Sequence, residues 1–135
     1  MINKKGFTLV EVLAVVALLG LVMMLVIPNV LNPFKESKES LFLENVRTVH
    51  NSATTTYLMN VNVGQNFCHG QSSNGTLLNL SLNNLYYKVS VNFDGKVTSI
   101  IVTDGVYTYS DTKSEINKND IKKTMITESN TSISC

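Results

Sequence analysis

Residues Phe7 to Ile27 form a 21-residue run whose only ionisable side chain is Glu11. As a helix rising about 1.5 Å per residue, the run covers roughly 32 Å, enough to cross a hydrocarbon core about 30 Å thick. Hydrophobicity is concentrated here: 20 of the 25 residues from Phe7 to Leu31 are apolar, against 39 of the other 110. What remains is rich in Asn, Ser and Thr, so its core has to be modest, and a covalent staple would help it. At 135 residues the chain is the size of one small domain, too short for a multidomain enzyme. A net charge of +1, from 11 basic and 10 acidic side chains, argues against a protein dominated by nucleic-acid phosphates and leaves only a local basic patch open.

Lys4 and Lys5 precede the run, whereas Lys35 and Lys38 beyond it are offset by Glu36 and Glu39. The positive-inside rule therefore puts the N-terminus in the cytoplasm and everything after about Asn32 outside. Three readings compete: a cleaved secretory signal, a plain anchor, and an anchor with a specialised task. A cleaved signal has a shorter apolar core followed by a small-x-small site. This run ends instead in Val26-Ile27-Pro28-Asn29-Val30. A plain anchor explains everything except Glu11, whose carboxylate in a lipid-facing run costs roughly 2–3 kcal/mol even on the gentler insertion scales. No partner for it is visible within the segment.

The stretch Lys4-Lys5-Gly6-Phe7-Thr8-Leu9-Val10-Glu11-Val12-Leu13 resembles the class III processing motif of type IV pilins and their relatives, the pseudopilins of secretion and DNA-uptake machines. The resemblance is close over residues 1–31 and architectural beyond. It implies that a membrane prepilin peptidase cuts between Gly6 and Phe7 and N-methylates Phe7. It also implies that Glu11 neutralises the Phe7 amine of a neighbouring subunit, and that Gly20 and Pro28 are points of helix flexibility. Partners on this reading are other pilin subunits, in a homopolymer or mixed filament, the peptidase/methyltransferase, the pilus assembly platform with its ATPase, and the membrane before assembly. The precursor would be a single-pass cytoplasmic-membrane protein with an extracytoplasmic head, and the product an extracellular pilus.

The residues carry part of this independently. Glycine at position 6 leaves an uncluttered backbone for a protease. A cut there creates an ammonium at Phe7, about one helical turn from Glu11, and in a low-dielectric bundle such a pair sets register more than it adds net stability. Pro28 removes an amide hydrogen and crowds the preceding turn. Gly20 weakens a helix by up to about 1 kcal/mol relative to alanine. Gly and Pro are also simply better tolerated in membrane helices than in soluble ones.

Past Pro33, Phe42, Val46, Val49, Ala53 and Tyr57 recur at helical spacing within Leu41–Met59, predicting an amphipathic continuation of the helix. Residues Asn60 to Asn84, rich in Gly, Asn and Ser and including Gly64, read as a long loop in which Leu78, Leu80 and Leu82 form either a short strand or a cover over the core. Tyr87, Val89, Val91 and Phe93 then alternate before Asp94-Gly95. Val97–Thr103, Asp104-Gly105 and Val106–Tyr109 follow, predicting a three-stranded antiparallel meander. A short helix is expected near Ser114–Thr124. The expected fold is α+β: a long N-terminal helix, half membrane-spanning and half amphipathic, packed on an antiparallel sheet of three or more strands. The expected divisions are a leader (1–6), an apolar helix (7–31), its amphipathic continuation (32–59) and a head (60–135).

Cys68 and Cys135 both fall on the extracytoplasmic side, where disulfides persist. A bridge would be worth roughly 4 kcal/mol in the chain-entropy model and would tie down a polar tail. It is the favoured expectation over two free thiols, and the resemblance supports it, because many type IV pilins fasten a C-terminal segment to the head in this way. Cys68-His69 lacks the spaced partner set of a metal site, so no metal and no cofactor are expected. His50 reads as a surface or partly packed residue. With no phosphate loop, nucleophile elbow or paired catalytic carboxylates, the chain is expected not to be an enzyme. The leading reading is a structural filament subunit serving adhesion, twitching motility, secretion or DNA uptake. The alternative is a minor or competence-type pilin whose head binds DNA or a surface, with Lys88, Lys96, Lys113, Lys118, Lys122 and Lys123 as its basic patch. An anchored enzyme or sensor ranks below both.

Overall fold

A computed structural model describes residues 6–59, 65–129 and 131–135. Lys4 and Lys5 of the basic leader and Gly64 of the expected loop lie outside them. Helix α1 runs from Leu9 to Met59, 51 residues, and includes both Pro28 and Pro33. The chain divides into two compact units, Met1–Ser37 and Lys38–Cys135.

In the first unit the described part is the leading stretch of α1, and its large apolar side chains, from Phe7 and Leu9 through Leu31 and Phe34, are all exposed. A helix apolar on every side has no soluble solution of its own and needs lipid or another protein around it. Its most apolar 18-residue window has a mean hydropathy of 2.9, long and apolar enough to cross a membrane.

In the second unit α1 behaves as an ordinary amphipathic helix. Phe42, Val46, Val49 and Ala53 are buried and lie on one face, at spacings of four, three and four. They join a single core with residues of an antiparallel sheet of five strands in sequential order: β1 (Asn66–His69), β2 (Tyr86–Val91), β3 (Val97–Thr103), β4 (Tyr107–Thr112) and β5 (Ile126–Glu128). The inward residues are Phe67 from β1, Tyr87, Val89 and Val91 from β2, Val97, Ile100 and Val102 from β3, and Tyr107 and Tyr109 from β4. The Phe42 and Tyr107 rings meet at 5.8 Å between centroids.

The predicted meander is β2–β3–β4, extended by a strand on each side. β1 pairs with β2 through Phe67↔Val89, inside the segment expected to be loop. β5 pairs with β4 through Tyr109↔Ile126. At four and three residues, neither is long enough to show a period of two. Phe93 does not continue the alternation of β2 and is 88% exposed. The register shifts at Ser90/Val91, and Asn92 then closes the turn: its Oδ1 accepts from the amides of Asp94 (3.0 Å) and Lys96 (2.8 Å), while Gly95 takes φ +80°. Only a residue free of a Cβ penalty adopts that angle readily. The second Asp-Gly turn is built in the same manner, with Asp104 Oδ1 accepting from the amides of Val106 (2.9 Å) and Tyr107 (2.7 Å).

The helix expected near Ser114–Thr124 is replaced by two isolated 3-10 turns, Lys118–Asp120 and Lys123–Met125. Ile116 and Ile121 are both buried, and a spacing of five cannot place two side chains on one helix face. Leu78, Leu80 and Leu82 form no strand. Leu78 is buried and the other two pack half-buried against the core, giving the leucine cover rather than its alternative. The Leu78 amide donates to the Tyr87 hydroxyl at 2.7 Å.

Cys68 and Cys135 are disulfide-bonded, with Cα atoms 5.8 Å apart. The tail they secure is also held by hydrogen bonds: the Gln71 amide donates to the Ile133 carbonyl (3.2 Å), and the Ile133 amide to the Gln71 side-chain oxygen (2.9 Å). Gly70 makes this approach feasible, because a Cβ there would sit 2.6 Å from the Ile133 carbonyl oxygen.

Candidate functional site

The residues around the start of α1 carry the chemistry singled out in the sequence. A helix leaves its first amide hydrogens without intrahelical acceptors. Thr8 occupies the cap position and Glu11 the third helical position, and the two satisfy each other. The Glu11 carboxylate accepts from the Thr8 amide and from the Thr8 hydroxyl, both at 2.9 Å, while the Glu11 amide donates to Thr8 Oγ1 at 3.4 Å. The Thr8 carbonyl accepts the first helical bond, from Val12 at 3.2 Å. This is a capping box.

Its presence corrects the expectation that Glu11 has no partner within the segment. Thr8-Leu9-Val10-Glu11 is the Thr-x-x-Glu pattern of such a box, a signal present in the sequence beside the reading of Glu11 as a carboxylate in lipid. Both residues of the box remain exposed, so a group from another chain has access to them.

Gly6 and Phe7 lie ahead of the helix, outside any regular secondary structure. Among the described residues nothing lies within 4 Å of the position a Gly6 Cβ would take, and Phe7 is 86% exposed, so these residues leave the Gly6–Phe7 bond open to approach. Gly20 likewise has open space where a Cβ would be, so none of the described residues demands glycine there. Pro28 is accommodated inside α1.

Among the described residues, no group of three or more His, Cys, Asp or Glu is arranged to hold a metal ion. The Cys68 sulfur is spent in the disulfide, and His69 Nδ1 lies 2.8 Å from Asn74 Oδ1 with its ring stacked on Tyr86 at 5.5 Å. His50 is buried more fully than expected. Its Nε2 donates to the Ile116 carbonyl at 2.7 Å, a structural tie between α1 and the 113–125 segment. Arg47 adds a bond to the Ile121 carbonyl at 3.3 Å, and Lys123 an ion pair to Glu39 at 3.0 Å.

Four of the six lysines of the expected basic patch have partners within the chain. Lys96 pairs with Glu115 at 2.6 Å, and this carboxylate raises the lysine's pKa. Lys113 pairs with Asp111 at 3.1 Å and Lys123 with Glu39, while Lys88 Nζ donates to the Ser134 carbonyl at 3.4 Å.

No curated protein and no solved structure matches the chain significantly. The family comparison does match, over residues 1–27, one fifth of the chain, with the model described as the prokaryotic N-terminal methylation motif. With the open Gly6–Phe7 bond, the Thr8–Glu11 box and the unaccompanied apolar helix in place, residues 1–27 carry the class III signal of type IV pilins and pseudopilins, on an α+β fold of the kind pilins have.

Proposed function

We propose that this chain is a non-catalytic, type IV pilin-like subunit: a membrane-anchored precursor, cut between Gly6 and Phe7, methylated on the Phe7 amine and polymerised through its apolar helix into a surface filament. The observation that carries the reading is the methylation motif at residues 1–27, seated on a helix whose apolar side chains the chain itself leaves exposed. Lipid supplies their surroundings before assembly, and packed neighbouring helices do so afterwards. Repetition of one unclosed contact generates a fibre rather than a ring. The cut removes Lys4 and Lys5 and introduces one amine at Phe7, so the subunit stays close to neutral and self-repulsion is small.

Glu11 then has two roles in sequence. In the free subunit its carboxylate closes the Thr8 cap. In the filament one of its oxygens accepts the charge-assisted bond from a neighbour's Phe7 ammonium, and the carboxylate geometry allows both partners together, since it offers about four lone-pair directions. Partners are therefore other subunits, the peptidase/methyltransferase and the assembly machinery. The DNA-binding alternative is weakened by the ion pairs at Lys96, Lys113 and Lys123, because each paired cation has a carboxylate competing with phosphate.

Mass spectrometry of filaments sheared from cells tests the proposal. The expected result is a dominant species beginning at N-methylated Phe7. Glu11→Ala should retain membrane insertion and lose filament yield. Recovery of the chain solely in membranes with residues 1–6 attached would overturn the reading.

A further inference from the structure

Part of the segment joining β1 to β2 packs as the leucine cover, and beside the sheet it leaves a cavity of about 110 Å³. The walls are five leucines of residues 77–85 together with His69 and Tyr87. The two rings come together because their strands are in register: His69 of β1 stands opposite Tyr87 of β2, with 5.9 Å between ring centroids. Leucines make the cavity apolar, and these two side chains bring polar chemistry to it.

Each ring has one hydrogen-bonding function in use and one left over. His69 Nδ1 lies 2.8 Å from Asn74 Oδ1, an acceptor, so Nδ1 carries the proton and Nε2 presents a lone pair. The Tyr87 hydroxyl oxygen accepts the Leu78 amide at 2.7 Å, which leaves its hydrogen to donate. Among the described residues neither Nε2 nor that hydrogen has a partner, although Tyr87 is only 4% exposed. Buried polar groups in folded proteins nearly always find one.

We propose that this cavity is a binding site for a compact aliphatic alcohol, a branched carbon body of about five non-hydrogen atoms with one hydroxyl. A hydroxyl takes both leftover functions at once, donating to His69 Nε2 and accepting from the Tyr87 hydroxyl. An ether or carbonyl oxygen only accepts, and an ionised carboxylate or ammonium would lose its hydration among leucines. A water would make the same two bonds, one short of the roughly three usual for a buried water, and would make no use of the leucine walls. Size selects the body: a leucine-lined cavity of roughly 150 Å³ takes benzene, so this one suits something slightly smaller. His69 and Leu77 keep part of their surface exposed, which gives a small molecule a way in. The inference stands apart from the filament reading, because every residue it uses lies in the second unit.

The test uses the full chain in detergent, with carbon-13-labelled leucine methyls, titrated with isobutanol and with its isomer methyl isopropyl ether, which keeps the atoms and loses the O–H donor. Isobutanol should shift the methyls of Leu78 and Leu85 saturably, with a Kd of roughly millimolar order, as a ligand of this size allows. Leucines between Leu9 and Leu31 should drift without saturating as the alcohol enters the micelle. The ether should bind about fivefold more weakly, the equivalent of one hydrogen bond. Tyr87→Phe and His69→Phe should each weaken isobutanol to the level of the ether while leaving the ether unchanged, at a thermal midpoint that shows the head still folded. The wild-type comparison of alcohol with ether needs neither variant. No saturable shift at Leu78 or Leu85 up to about 100 mM isobutanol overturns the proposal. Equal affinity for alcohol and ether overturns it as well, since the cavity would then be an apolar void in which the two polar functions take no part.

Discussion

The first and second units share one helix and solve opposite problems with it. Up to Phe34 the large apolar side chains of α1 are exposed on every side; from Phe42 the buried ones fall on a single face, at spacings of four, three and four, over a sheet. Secondary structure is the same, so the difference lies in composition around the helix circumference. Polar residues at Ser40, Glu44, Asn51 and Thr55 let water wet one side, whereas between Val12 and Phe34 no ionisable side chain does so. A helix with one wet side completes a domain within its own chain, and one without a wet side needs lipid or other chains.

The strongest way to break this comparison is to truncate a large apolar side chain in each part. Phe42→Ala should destabilise the second unit by about 3–5 kcal/mol, the usual cost of a large-to-small change at a buried aromatic, which here also forfeits the contact with Tyr107. Leu19→Ala, at a side chain 55% exposed within the subunit, should leave that unfolding transition where it was. Denaturant titration of detergent-solubilised full chain, read by the tyrosines of the sheet, measures both. Equal shifts would mean that the two stretches of helix are stabilised alike.

A second perturbation acts on the second unit alone. Replacing Cys68 and Cys135 together by Ser removes a bridge between residues 67 apart in sequence. It should cost roughly 2–4 kcal/mol, largely by enlarging the unfolded ensemble. The tail around Ile133 should become cleavable by protease ahead of the remainder, because without the bridge it is held by the burial of Ile133 and a few hydrogen bonds to Gln71, Ser73 and Lys88. Insertion of the first unit in the membrane should not change.

How far the sequence anticipates this molecule follows the strength of its periodicities. The apolar run and the Phe42-to-Ala53 stripe are long, regular patterns and stand where expected; the β2–β4 meander, marked by its two Asp-Gly turns, does so too, except that β2 ends before Phe93. β1 and β5 are missed because pairing, not local pattern, makes them strands: β1 is held by Phe67 opposite Val89, and β5 by Ile126 opposite Tyr109. β4 runs on to Thr112 because buried Asp111 keeps the inward alternation of Tyr107 and Tyr109 while looking polar in sequence. At the candidate site, Gly6, Phe7 and Glu11 are legible because their pattern is specific. Thr8 is legible too, as the first member of a capping box whose second member, Glu11, also stands out as the acidic residue in an apolar run.

The sheet offers a smaller effect with a pH signature. Burial, followed by the neighbouring Asp111 carboxylate, pushes the Tyr109 hydroxyl up to about 12. The folded state therefore holds that proton more tightly than the unfolded chain, where tyrosine titrates near 10. The associated stability is intact below about pH 10 and declines as pH rises through the folded value. Tyr109→Phe should flatten the alkaline decline in thermal midpoint. An unchanged slope would mean that Tyr87, raised by burial as well, governs it instead.

The smallest effect sharpens the comparison at the other end of the chain. Thr8→Ala deletes the hydroxyl that donates to Glu11 and accepts from its amide, at a cost of about 1 kcal/mol for a lost N-cap. Amide exchange at Glu11 should accelerate by about fivefold, the equivalent of that free energy, while exchange in β2 and β3 stays unchanged. Thr8→Ser keeps the oxygen and should exchange like the wild type. The same variant separates the two roles of Glu11. Thr8→Ala leaves the carboxylate in place with fewer bonds to its own chain, so a neighbour's ammonium faces less competition for it. If the cap only orders the first turn, filament yield should match wild type, in contrast to Glu11→Ala. If yield falls as far as it does for Glu11→Ala, Thr8 is needed to orient the carboxylate as well as to begin the helix.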